Sequence, residues 1–319
     1  MISILEFGLL AEYIYKSKDT VATYRSVIGS PLSHLDFDPA TSMDGLFEVI
    51  LDPQVQSSAA LDNGFYCSLF VKVKNKRPVC AVMAIRGTAN LDNLKVDVRS
   101  WWLAFLKDDS RVSMPEDYIQ QAVQFYNKMQ RYCSEKLKLS SRQMFVTGHS
   151  LGGALSGLLP TYYGFPIRAV TFNAPGIRAV NGIKMLWHRV INVRASYDFV
   201  SSIGSPIGVQ MNVPVPEHES QAKTAFMLYR FREKHTVLAA LSIGSEFAKD
   251  ASFLVSAYPQ HSITNLTRAM NAMACTDAGR LLAMDAFGLS KDNVESLLSK
   301  QNNKPYDRLH PFQEQRQAG

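Results

Sequence analysis

The feature that most constrains this chain is a five-residue turn, Gly148-His149-Ser150-Leu151-Gly152. Met144-Phe145-Val146 before it has strand character, and Leu151 to Leu159 after it reads as a helix. A G-x-S-x-G turn at a strand-to-helix junction strains its central residue and lifts the serine hydroxyl above the sheet edge. Side chains two positions before and after would strike the adjoining strand and helix, so both positions call for glycine. Gly153, Ala154, Ser156 and Gly157 give the helix a small face that can approach the sheet closely. The unpaired N–H groups at the start of such a helix favour negative charge developing at the turn.

The segments around this turn alternate between the two periodicities. Residues 2–16 read as a helix, with Leu5, Leu9 and Tyr13 at helical spacing, and a turn-rich stretch follows to about Asn63. Phe65–Lys74 and Val79–Ile85 read as strands joined by a hairpin turn at Asn75-Lys76-Arg77-Pro78. Proline at its start and Glu116 and Asp117 in its first turn suit a helix from Pro115 to about Lys136. Strands are expected at Gln143–Thr147, Ile167–Phe172 and His188–Val193, and mainly helix from Glu217 to Ala257. Strands alternating with helices predict an α/β fold, a mostly parallel sheet with helices on both faces. Residues 1–275 are expected to form that domain. Residues 276–319 are expected to add a packing helix (Leu281, Leu282, Met284, Phe287, Leu289) and a frayed polar tail from Gln301.

Composition narrows the class. At 46% hydrophobic and 19% charged, 319 residues can bury a large core, which sets disorder aside. No window approaches 18 uninterrupted apolar residues, so no membrane-spanning helix is expected. The first residues lack a basic flank, and Glu6 and Glu12 interrupt their apolar stretch, unlike a cleaved secretory leader. Residence in the cytoplasm, or export without a cleaved signal as for an effector, is the expectation. Cys67, Cys80, Cys133 and Cys275 are scattered without C-x-x-C spacing, so free thiols are expected rather than a metal or redox site. The net charge of +6 is dispersed and no nucleic-acid motif accompanies it, so no nucleic-acid partner is expected.

Val146-Thr147-Gly148-His149-Ser150-Leu151-Gly152-Gly153-Ala154-Leu155 resembles the nucleophile signature of the class 3 (fungal-type) triacylglycerol lipases. Phe172-Asn173-Ala174-Pro175-Gly176 resembles the small-residue turn after the next strand in that family. Arg86-Gly87-Thr88 resembles its arginine-glycine-Ser/Thr motif, and the match continues through Asn93-Leu94-Lys95-Val96-Asp97-Val98, with Leu94 replacing the usual tryptophan. The resemblance implies an α/β-hydrolase fold and hydrolysis of lipid esters without metal or organic cofactor. It implies an oxyanion hole from Thr88 and the backbone N–H of Leu151, with Asp97 anchoring the Thr88 hydroxyl. The family carries its lid immediately after this motif. Residues 88–106 here include Trp101, Trp102, Phe105 and Leu106, and either a lid opening toward lipid or a buried helix fits them.

In this fold the acid and then the base follow the nucleophile along the chain. Tyr197-Asp198-Phe199-Val200 follows an expected strand where the family has Asp-Pro-Val, so Asp198 is the candidate acid and Phe199 departs from the pattern. Four histidines come later: His218, His235, His261 and His310. His310 lies in the polar tail, and His218 sits between Glu217 and Glu219. His261 follows the loop Tyr258-Pro259-Gln260 and leads into a helix from Ser262 to Met273, and His261-Ser262-Ile263-Thr264-Asn265 resembles the family's histidine segment. His235 stays as the alternative base.

Two readings from different classes remain at this point. One is a serine esterase acting on acylglycerols or phospholipids through Ser150, Asp198 and His261. The other is a non-catalytic relative that binds lipid or protein, with acyl transfer as a variant of the first. Residues 223–234 interleave basic and bulky apolar side chains, fitting either a helix on a membrane surface or one packed on the domain. Oligomeric state is not legible.

Overall fold

The strands sort their side chains strictly by alternation, and this divides the apolar residues between two faces of one sheet. The structure, a computed structural model, describes residues 2–15, 46–50, 65–75, 77–87, 116–163, 167–176, 189–198, 200–202, 208–216, 260–274, 282 and 285–287. Seven strands among these form one sheet in chain order: β1 (Leu46–Ile50), β2 (Cys67–Lys74), β3 (Arg77–Ile85), β4 (Met144–His149), β5 (Arg168–Phe172), β6 (Val190–Ala195) and β7 (Val209–Val213). β1, β2 and β3 pair antiparallel, whereas β3 through β7 pair parallel.

Four helices among the described residues cover this sheet: α1 (Ile4–Tyr13), α2 (Glu116–Glu135), α3 (Leu151–Tyr163) and α4 (Ile263–Ala274). Leu69, Ala81, Met83, Ile85 and Val146 point to the face covered by α2 and α3, where they meet Tyr126, Met129, Leu155 and Leu158. Phe70, Val82, Ala84, Phe145 and Val193 point the other way, toward Phe7, Leu10, Leu266 and Met270 of α1 and α4. The expected α/β-hydrolase arrangement is therefore present. No helix among the described residues is long and apolar enough to cross a membrane.

The expected boundaries need several corrections. The stretch to Asn63 expected to be turn-rich contains β1, which pairs from Leu46 opposite Val73 to Ile50 opposite Leu69. Five residues are too few to establish a period; the edge of β2 supplies the ordering. Strand β7 was not expected at all. The hairpin turn is tighter than expected, because Lys74 already pairs with Arg77 and Asn75 takes φ 51°. β4 runs two residues further, to His149, and α3 continues through Pro160 to Tyr163. The segments expected to be helical at 217–257 lie outside the described residues.

Helix α1 begins with a capping box: the Ser3 hydroxyl accepts the Glu6 N–H at 3.2 Å, and the Glu6 carboxylate accepts the Ser3 N–H at 2.7 Å. Glu6 interrupts the apolar run in sequence but does not carry it to solvent. It is buried, and its other oxygen meets the buried Lys72 ammonium of β2 at 2.6 Å. From the expected C-terminal part, Ala286 donates its N–H to the Ile2 carbonyl at 2.8 Å. Phe287 stacks on Phe145 at 5.6 Å, and Arg168 lies over both rings.

Candidate active site

Parallel strands place their C-terminal ends along one edge, where loops can bring distant residues together. At that edge β4 turns sharply into α3. Ser150 takes φ 56°, a left-handed conformation that an L-residue holds only when its surroundings enforce it. Two glycines make that turn sterically feasible. A Cβ on Gly148 would run into the backbone of Gly152 and approach the Ile85 carbonyl oxygen at 2.7 Å. A Cβ on Gly152 would strike that same carbonyl and come within 2.8 Å of the Gly87 nitrogen. The Ser150 N–H donates to the Phe172 carbonyl at 2.9 Å, and its own carbonyl accepts the Ala154 N–H at 2.9 Å.

His261 stands just before α4, and its Nε2 lies 2.9 Å from the Ser150 hydroxyl. On the other side of the ring, Nδ1 lies 3.0 Å from Asp198 Oδ1. A carboxylate only accepts, so Nδ1 carries the proton and Nε2 is the acceptor that faces the serine. All three residues are buried. Asp198 follows β6 and a turn in which Tyr197 takes φ 64°. Its carboxylate caps the short 3-10 turn Val200–Ser202, accepting the Val200 N–H at 3.3 Å and the Ser201 N–H at 3.0 Å. Burial alone would push its pKa up. The positive charge and hydrogen bond offered by His261, with the hydrogen bonds from Ser201, outweigh burial and hold it below the usual carboxylate value.

His149, the residue before the serine, has a separate task. Its Nε2 lies 2.7 Å from the His261 carbonyl oxygen, and its Nδ1 lies 2.9 Å from the Tyr15 hydroxyl. A carbonyl cannot donate, so Nε2 carries the proton and Nδ1 accepts from Tyr15. The Tyr15 oxygen in turn accepts the Gly87 N–H at 3.1 Å. The end of the N-terminal helix is thereby tied both to the segment leading into Thr88 and to the base. Composition and spacing carried no hint of this, because Tyr15 and Gly87 are 72 residues apart.

Burial, reinforced by the neighbouring His261, lowers the His149 pKa to about 3. The unfolded chain titrates this ring near its ordinary value of about 6.5. Between those two values the unfolded state takes up a proton that the folded state refuses, so stability falls as pH falls. The slope is about 1.4 kcal/mol per pH unit, and Asp198 adds a loss of the same sign at lower pH. Urea melts at pH 7 and pH 5 are expected to show wild type losing about 2 kcal/mol more than His149→Gln. Equal losses in the two proteins would contradict the assignment of a buried neutral ring.

The structure thus brings together Ser150, Asp198 and His261. Leu151 is the first residue of α3, where backbone N–H groups lack intrahelical partners. Thr88, Asp97 and the remainder of 88–106 lie outside the described residues, as do His218, His235, His310 and residues 223–234. Cys67, Cys80 and Cys133 are buried free thiols, and burial pushes Cys133 up to about 12 and Cys80 to about 11.

A family model described as phospholipase-like, Tle-like phospholipase domain, matches residues 6–196. It includes Ser150 and its turn but ends before Asp198 and His261. Among solved structures, the Lip2 lipase from Yarrowia lipolytica is 18% identical, with 66% of this chain and 77% of that chain covered and a TM-score of 0.39. The lipase from Rhizopus microsporus var. chinensis is 15% identical, with 65% and 72% covered and a TM-score of 0.37. An arylesterase is 12% identical, with 65% and 87% covered and a TM-score of 0.28. No curated protein matches the chain significantly. Because the family model spans more than half of the sequence around the nucleophile turn, the chain belongs to the phospholipase-like family with the Tle-like phospholipase domain, and is a lipase/phospholipase-type hydrolase.

Proposed function

We propose that this chain cleaves carboxylic esters of glycerolipids by way of an acyl-enzyme, with Ser150 as nucleophile, His261 as base and Asp198 as the acid that orients it. The observation that carries the reading is the unbroken line from the Ser150 hydroxyl to His261 at 2.9 Å and on to Asp198 at 3.0 Å, starting from a strained turn. Ser150 Oγ attacks the ester carbonyl as its proton passes to His261 Nε2, and Asp198 stabilises the resulting imidazolium. Collapse of the tetrahedral intermediate expels the lipid alcohol, which takes that proton, and leaves the acyl group on Ser150. Water then attacks through the same base and releases the fatty acid. The Leu151 N–H and the Thr88 donor are the groups we assign to the oxyanion, with Asp97 steadying Thr88. The name of the matched family favours phospholipids over neutral acylglycerols.

A fluorophosphonate probe tests this directly, since it reacts only with an activated serine. Wild type is expected to label and to release fatty acid from phosphatidylcholine or triacylglycerol dispersions, whereas Ser150→Ala does neither. A folded wild type that neither labels nor hydrolyses would point to the non-catalytic lipid-binding relative. Labelling with acyl appearing on an added alcohol instead of water would point to acyl transfer.

A further inference from the structure

Beyond the three reacting residues, one wholly buried side chain joins the base segment to the acid strand. Asn173 follows β5 with φ 46°, and its surface is 0% exposed. Its amide nitrogen donates both hydrogens to consecutive carbonyls of the base segment, Gln260 at 3.0 Å and His261 at 3.1 Å. Its amide oxygen accepts the N–H of Ala195, the last residue of β6, at 2.7 Å. The Ala195 carbonyl in turn accepts the Asp198 N–H at 3.2 Å. One planar group therefore sets the distance between the main chains that carry the acid and the base.

The His261 carbonyl is held by two donors, Asn173 Nδ2 and His149 Nε2. Two donors occupy both lone pairs of that oxygen, so the peptide plane on the C-terminal side of His261 has little freedom to tilt. Gln260 adds a third tie, its Nε2 donating to the Val215 carbonyl at 3.0 Å beyond β7. The base is thus located from beneath, by side chains of the sheet edge.

We propose that Asn173 is a positioning residue of the hydrolytic site, holding His261 at bonding distance from both Ser150 and Asp198 through the main chain. The proposal rests on the reading of those three residues as the reacting set. Asn173 touches neither the substrate nor the reacting atoms, and its effect falls on geometry. A misplacement of about 1 Å at a reacting group can cost on the order of 10²-fold in rate.

Two substitutions separate positioning from folding. Asn173→Gly accepts the left-handed backbone without strain and removes all three side-chain hydrogen bonds. Asn173→Asp keeps the shape and the acceptor for Ala195, but a carboxyl has at most one hydrogen to offer the two carbonyls. With a soluble short-chain ester, both variants are expected to lose about 10²-fold in kcat with KM unchanged, and to label more slowly with the fluorophosphonate. Wild-type kcat in either variant overturns the proposal, as does a loss that falls on KM with kcat unchanged. Loss of a cooperative melt in both variants also overturns it, assigning the residue to the fold. A wild-type protein that neither labels nor hydrolyses overturns both this proposal and the function it rests on, and is told apart by the absence of any activity to lose.

Discussion

Replacing Ser150 with alanine is expected to lower kcat for a soluble ester by about 10⁴–10⁶-fold, and adding His261→Ala to that variant is expected to cost almost nothing further. The reason lies in the shared proton. The Ser150 hydroxyl is a poor nucleophile until His261 Nε2, at 2.9 Å, can take its hydrogen. Removing either partner removes the same step, so the two losses overlap instead of adding. Asp198→Asn leaves the shape intact but allows the imidazole to settle in the tautomer with its proton on Nε2, facing the serine. Its expected cost is on the order of 10⁴-fold. Steady-state kinetics on the two single variants and the double variant check this, with circular dichroism to confirm the fold. Additive losses would sink the idea of one proton path. Full activity in His261→Ala would reject that residue as base and reopen the case for His235.

Lys72→Ala is expected to destabilise the fold by about 3–5 kcal/mol. The substitution strands a carboxylate where water does not reach, since Glu6 and Lys72 are both buried and 2.6 Å apart. Glu6 retains only its capping bond to the Ser3 N–H, too little to offset desolvation of a full charge. Against a typical total stability of about 5–15 kcal/mol, such a loss threatens folding at physiological temperature. The paired change Glu6→Gln with Lys72→Met removes both charges, and glutamine can still close the capping box. It is expected to recover most of the loss, because removing a buried ion pair whole is far milder than halving it. Urea midpoints of the single and double variants measure this. A double variant no better than Lys72→Ala would show that the pair is held for its geometry and not for mutual neutralisation.

The two sites differ in how far they could be foreseen. The serine turn was legible because every requirement on it is local: an apolar strand, glycines at 148 and 152, and a helix start. Asp198 was legible from its loop after an expected strand beyond the nucleophile and from the resemblance of Asp198-Phe199-Val200 to the family's Asp-Pro-Val. His261 was narrowed by chain order and by the loop before α4, and contact with Ser150 then distinguishes it. Glu6 could be read only as a charge interrupting an apolar stretch, because Lys72, the partner that makes it half of a buried pair, lies 66 residues away. Asn173 appeared only as part of a small-residue turn, yet its amide reaches 87 residues forward to Gln260. Strands β1 and β7 were missed because short strands are ordered by the sheet edge they join.

What the chain's order of residues determined by itself was the set of local geometries: the strained turn at Ser150, the α/β alternation, and the candidates for acid and base. Steric limits and hydrophobic period act within a few residues, so they can be read along one dimension. Tertiary structure alone decided which polar groups neutralise one another in the interior, among them Glu6 with Lys72, Tyr15 with His149, and Asn173 with the base segment. A buried donor or charge must find a partner wherever the fold brings one, and that partner's place in the chain is set by packing rather than by spacing.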